Sequence, residues 1–168
     1  MQPAECLRRV RLLVRERVPA QFREFQWESF SFQSKLWYGN KALHYEIWPR
    51  ERLGTIEIGL HFEADPLTNA RLLAAFAANG KAIRRALSDA RIEEWDRGWA
   101  RVWEPLPHRR PDDELTTELA ERVAAYVTAL EPILRRELPS DVVWSEPVTR
   151  PARAKPAARP RAARTARR

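Results

Sequence analysis

One cysteine, Cys6, and five glycines are all that this 168-residue chain contains of either residue. A single thiol rules out an internal disulfide and any zinc site built on thiolates. It suits a reducing compartment, so a cytoplasmic location is expected. So few glycines leave no Gly-rich phosphate loop, no dinucleotide fingerprint and no G-x-S-x-G elbow, and none is found. Long apolar runs are missing too. Near the N-terminus the longest is Leu12–Val14, with arginine on both sides, so the stretch does not read as a signal peptide. No segment approaches the roughly 20 apolar residues that cross a bilayer. No internal repeat is visible.

Acidic residues are the last absence, and a local one. All 23 stand at or before Glu146, while Arg150, Arg153, Lys155, Arg159, Arg161, Arg164, Arg167 and Arg168 follow it. With those eight set aside, 22 basic residues face the 23 acidic ones, so the formal charge of +7 belongs to the end of the chain. Residues 1–146 therefore read as one nearly neutral domain, and 147–168 as an Arg/Ala/Pro-rich basic tail. The tail has too little to bury to offset its ordering entropy, and disorder is expected. Its prolines keep it extended and its arginines grip phosphate, so non-specific nucleic-acid binding is the expected partnership. Acidic proteins or an anionic lipid surface would also attract it, although it carries no apolar anchor.

The first 146 residues have ample material for a core: 44% of the whole chain is hydrophobic, with seven Trp and six Phe. Leu7, Val10, Val14 and Val18 recur at three- and four-residue steps, which predicts a helix from about Ala4 to Val18, ended by Pro19. Three alternating runs follow: Phe30, Phe32, Ser34 and Leu36; then Leu43, Tyr45 and Ile47; then Ile56, Ile58, Leu60 and Phe62. Turn chemistry separates them, so they read as a three-stranded antiparallel meander with one buried and one polar face. Asp65–Pro66 opens a helix. Its seam of Leu73, Phe76, Gly80, Ile83 and Leu87 predicts one long helix with Gly80 close to the sheet, the alternative being a break at Asn79–Gly80. Asp96-Arg97-Gly98 predicts a hairpin turn. The stripe Leu115, Leu119, Val123, Tyr126, Val127, Leu130 and Leu134 predicts a last helix, which Pro132 must kink or shift in its final turn. The expected order is α-β-β-β-α-β-β-α: an α+β two-layer sandwich, antiparallel sheet, helices on one face.

That order resembles the type III secretion chaperones and related bacterial chaperone-like domains, a resemblance that implies protein binding and no catalytic residues. Its first six elements resemble the core of the PD-(D/E)XK nucleases. The signature of that family puts Glu-x-Lys or Asp-x-Lys at the end of the third strand, where this chain has Glu57-Ile58-Gly59. Under that resemblance Glu46 stands for the acid of the second strand and Lys81 for the missing lysine.

Two clusters bear chemistry. If the apolar sets of the second and third strands share a face, His44, Glu46, Glu57 and His61 share the other, with Glu46 near Glu57 and His44 near Gly59 or His61. Two imidazoles and two carboxylates are ligands for Zn²⁺, Mn²⁺ or Fe²⁺, or an acid/base set. An ordinary solvent-facing sheet surface would carry the same residues. The second cluster is Trp99, Arg101 and Trp103, on one strand face, with the aromatic and cationic groups that base stacking and interface contacts use. The same residues would serve equally as core aromatics with an arginine reaching out to solvent.

The sequence thus favours a non-catalytic binding or adaptor domain, needing no cofactor, tethered to nucleic acid by its tail. A metal-dependent hydrolase on the His/Glu cluster and a chaperone-like protein-binding domain are the alternatives.

Overall fold

A computed structural model describes residues 1–30 and 33–138. Phe32 and the basic tail lie outside the described residues. The fold is α+β: α1 (Pro3–Arg17), β1 (Gln26–Ser29), β2 (Ser34–Trp37), β3 (Leu43–Arg50), β4 (Thr55–Phe62), α2 (Pro66–Ala78), α3 (Gly80–Ala86), β5 (Arg91–Glu94), β6 (Ala100–Pro107) and α4 (Asp113–Glu137). One antiparallel sheet takes the strands in the order β1-β2-β3-β4-β6-β5. The chain leaves the sheet after β4, passes through α2 and α3, and returns at the edge as β5. It then turns inward so that β6 lies beside β4.

Strand parity sorts the side chains. Leu36, Leu43, Tyr45, Ile47, Ile56, Ile58, Leu60, Phe62 and Val102 face the helices and join one core with Val10 and Val14 of α1, Leu72 and Phe76 of α2, and the stripe of α4. At about 25 cal/mol per Å² of apolar area removed from water, this layer is the main stabilising term. Two helices begin on side-chain caps. Asp65 Oδ1 accepts the Thr68 amide at 3.0 Å, and Asp112 Oδ1 accepts the Leu115 amide at 2.7 Å.

Three expectations change. The first block holds four strands, because Gln26–Ser29 pairs with β2 as an edge strand, and the Phe30 amide donates to the Gln33 carbonyl at 2.8 Å just past it. The helix after Asp65 breaks at Asn79, whose side-chain amide donates to the Ala75 carbonyl at 2.8 Å and closes α2. The seam survives because Ile83 of α3 and Leu87 just after it rest on the same core. At Gly80 the atoms nearest to an added Cβ belong to the Arg84 guanidinium, at 3.2 Å, and not to the sheet. The expected hairpin is present. Trp95 donates to the Trp99 carbonyl at 2.6 Å, and Arg97 and Gly98 supply the positive φ angles of 61° and 76°. The last helix runs on through Pro132 to Glu137. No helix of the described residues is long and apolar enough to cross a membrane.

Candidate metal centre

The second face of the sheet has no helix over it, and yet its central polar side chains are buried. His44 and His61 are each 1% exposed, Glu46 4% and Glu57 6%. Tryptophans and long cationic side chains fold down over them. Trp95 packs edge-on against His61 with centroids 5.3 Å apart, and Trp48 and Trp99 pack against Trp95. The solvent-facing reading of this surface is therefore corrected: it is a thin second core of aromatic and charged groups.

Register decides which polar residues meet. His44 stands directly opposite His61, Glu46 opposite Gly59, and Trp48 opposite Glu57. The expected Glu46–Glu57 neighbourhood is thus displaced by two residues. Glu57 instead accepts from Arg50 Nη1 and from Arg101 Nη1, each at 3.1 Å. Its place beside the histidines is taken by Glu63, just past the end of β4, and Lys35 reaches in from β2. Strand alternation carries both signals: Lys35 lies between Ser34 and Leu36, and Glu63 continues the parity of His61.

The donors His44, Glu46, His61 and Glu63 lie with one ligand atom of each within 4.8 Å of all the others. His44 Nδ1 donates to the Lys41 carbonyl at 2.9 Å, which turns Nε2 toward Glu46 Oε2 at 3.1 Å. In the neutral ring that Nε2 is a lone pair. Two lone pairs stay 3.1 Å apart only with a proton or a metal ion between them. The His–carbonyl bond also fixes the ring as outer partners of metal ligands do. His61 Nδ1 is buried and has no hydrogen-bond partner among the described residues; it lies 3.9 Å from Glu63 Oε1. Burial pushes His61 down to about 3, so its ring is neutral and its lone pair free. Burial alone would raise Glu46, but the hydrogen bond with His44 once Nε2 carries a proton, then the charges of His61 and His44 when protonated and that of Lys35, outweigh it, holding the carboxyl at about 2. The two imidazoles stack at 5.5 Å and 13°.

Metal–ligand bonds of about 2.0–2.2 Å place neighbouring donor atoms about 3 Å apart. The His44–Glu46 pair already has that spacing, while Glu63 must close by about 1 Å from its 3.9 Å separations. Lys35 Nζ, 3.3 Å from Glu46 Oε2 and 3.6 Å from Glu63 Oε2, is the cation that balances the two carboxylates. Glu63 and Lys35, 18% and 15% exposed, mark the side open to solvent.

The other predicted cluster is arranged differently from a free contact surface. Arg101 is 7% exposed and is held by Glu57 and by Glu93 Oε1 at 2.7 Å, with its guanidinium 3.9 Å from the Trp103 ring centroid and 4.9 Å from that of Trp95. Trp103 is buried and donates from Nε1 to the same Glu93 oxygen at 2.6 Å. Only Trp99, on the hairpin, is half-exposed. Arg101 and Trp103 thus brace the cover of the His/Glu cluster. Lys81 is exposed on α3 in the helix layer, on the opposite side of the sheet from Glu46, so it does not complete a nuclease-like set. Arg150, Arg153, Lys155, Arg159, Arg161, Arg164, Arg167 and Arg168 lie outside the described residues.

Fold and cluster together define an α+β two-layer domain with a candidate metal centre on its helix-free face. No known family model, no curated protein and no solved structure matches the chain.

Proposed function

We propose that the folded part of the chain binds a divalent transition metal at His44, Glu46, His61 and Glu63 and uses it as a metal-dependent hydrolase. The observation that carries the reading is the buried, unpartnered Nδ1 of His61 beside two carboxylates and a second imidazole whose ring is oriented by a backbone carbonyl. An orphaned buried nitrogen costs free energy unless something binds it. Mixed nitrogen and oxygen donors suit Zn²⁺, Mn²⁺ or Fe²⁺. A metal ion there supplies an activated water, and Lys35 at the open edge is placed to neutralise negative charge on a substrate oxygen.

The test is titration calorimetry of the full chain with Zn²⁺ and Mn²⁺, together with metal analysis of the purified protein. Stoichiometric binding that weakens at least tenfold in both His61→Ala and Glu63→Gln supports the site. Binding unchanged by either variant, or none below about millimolar, removes it. A panel of phosphate and carboxylic ester substrates, with and without added metal, then decides for or against hydrolysis.

A second reading concerns the tail, whose eight cations without a single acid favour a non-specific nucleic-acid tether. The tether would concentrate the domain on its substrate or partner. Binding to duplex DNA that is lost in a chain ending at Glu146 is the expected result.

A further inference from the structure

At the end of the sandwich away from the metal cluster, a cavity of about 700 Å³ opens between the two layers. Its walls are the starts of α1 and α4 and the β3–β4 connection. Leu7, Ile56, Leu115 and Leu119, each 2–3% exposed, make its floor with Cys6. Leu53, 62% exposed, stands at its lip. The rim is of opposite character: Arg50, Arg52, Arg109 and Arg110 against the single carboxylate of Glu51.

The rim arginines are not equivalent. Arg50 is bound to Glu57 and stacks on Trp48, and Arg109 is bound to Glu114 and Glu118. The acids at the start of α4 are engaged as well, Asp113 with Arg9 and Asp112 with the Leu115 amide. Arg52 and Arg110 have no ion pair or hydrogen bond among the described residues. An apolar chamber of ordinary small-molecule size thus has two exposed arginines in its lining whose guanidinium groups are free to hold a carboxylate in the two-pronged way arginine favours.

We infer that this cavity binds a single-chain amphipathic anion, an aliphatic carboxylate whose chain enters between α1 and α4 and whose head group is held by Arg52 and Arg110. The charge selects the occupant. A neutral apolar ligand leaves the two guanidinium groups unused, and the cationic tail of the chain itself is repelled. The site is independent of the metal centre, so each stands or falls alone.

The test is calorimetry of the full chain with acetate, octanoate, decanoate and dodecanoate below their micelle concentrations, and with 1-decanol and decyl phosphate. Affinity should rise about fourfold per methylene until the chamber is full, and decanoate should bind at least tenfold tighter than decanol. The double variant Arg52→Ala/Arg110→Ala should remove that preference while leaving the unfolding midpoint unchanged. Cys6 is the only thiol of the chain and lines the chamber. Its reaction with a thiol reagent should therefore slow severalfold with decanoate and not with acetate. Equal binding of acetate and decanoate would mean that only surface cations are at work, and would overturn the proposal. So would equal binding of decanol, tighter binding of decyl phosphate, an unaffected Cys6, or a dimer that seals the lip and excludes every ligand.

Discussion

Tyr45 and Tyr126 are both fully buried phenols on the helix side of the sheet, and their hydroxyls are in opposite situations. Tyr45 donates to Glu131 Oε2 at 2.9 Å, and that carboxylate, 2% exposed, has only Arg135 besides among the described residues. The Tyr126 hydroxyl has no hydrogen-bond partner among the described residues; burial pushes the phenol up, and the charge of the nearby buried Glu104 adds to it. Removing a donor from a buried carboxylate costs about 2 kcal/mol, whereas removing an unpaired hydroxyl gains about 1 kcal/mol. Tyr45→Phe should therefore lower the urea midpoint and Tyr126→Phe should raise it, with equal m-values. A loss of stability in Tyr126→Phe would mean that the hydroxyl is hydrogen-bonded in solution. The same contrast of partnered and unpartnered groups applies to Lys35 in the metal cluster. Its ammonium lies 3.3 Å from Glu46 and 3.6 Å from Glu63, where it would compete with a bound metal ion for both carboxylates. Lys35→Met should tighten Zn²⁺ binding about tenfold, equivalent to about 1.4 kcal/mol, and should reduce catalysis if the amine also serves a substrate. Weaker metal binding in this variant would show that the lysine organises the carboxylates and does not compete for them.

Between elements, β4 and β6 approach closely where Gly59 pairs with Trp103. A Cβ on Gly59 would lie 2.5 Å from Trp103 Cβ and 2.6 Å from the Val102 carbonyl oxygen, both fixed to the backbone of β6. Gly54, in the β3–β4 connection, has a φ of 65° but nothing within 4 Å of such a Cβ. Gly59→Ala should cost roughly 3 kcal/mol by forcing the strands apart, and Gly54→Ala about 1 kcal/mol from its left-handed backbone. Thermal unfolding of the two variants checks the order, and the reverse order would mean that β4 and β6 separate easily. This region also shows where the sequence was readable. Alternation placed β3 and β4 and the core parity of both, since each strand is apolar on one side only. Alternation could not place β1, an edge strand whose residues are half-covered and lack a period. The register of β3 on β4 was missed by two residues because Pro49 and Arg50 looked like loop. They continue the strand, because β2 pairs β3 only as far as Ile47, so the missing amide of Pro49 interrupts no ladder on that side. From that shift follow the exchange of Glu57 for Glu63 and the direct pairing of the two histidines. The aromatic cover, which turns a polar sheet face into a buried one, rests on contacts between strands distant in sequence, and no local pattern announces it.

For the whole molecule, charge is divided between two parts that titrate differently against a polyanion. The residues through Glu146 carry 22 basic groups against 23 acidic ones. Many of those basic groups are tied down: Arg101 to Glu57 and Glu93, Arg122 to Glu104, Arg135 to Glu131. A nearly neutral surface with committed cations binds nucleic acid weakly. The eight cations after Glu146 face no acid in their own segment. Each phosphate contact contributes about −0.9 to the slope of log affinity against log salt on duplex DNA, so eight contacts set a ceiling near −7. The full chain should give a slope between about −3 and −7, with no preference among duplex sequences. A chain ending at Glu146 should not bind at about 100 mM salt. Its stability should be unchanged, because every core position among the described residues lies at or before Leu138. Its Zn²⁺ affinity should be unchanged too, because all four proposed ligands lie before it. If the shortened chain keeps both the affinity and the slope, the charge that matters is on the folded domain, and the uncommitted Arg52 and Arg110 become the first residues to neutralise. If it keeps stability and metal binding while losing DNA, anchoring and metal chemistry reside in separate parts of the chain.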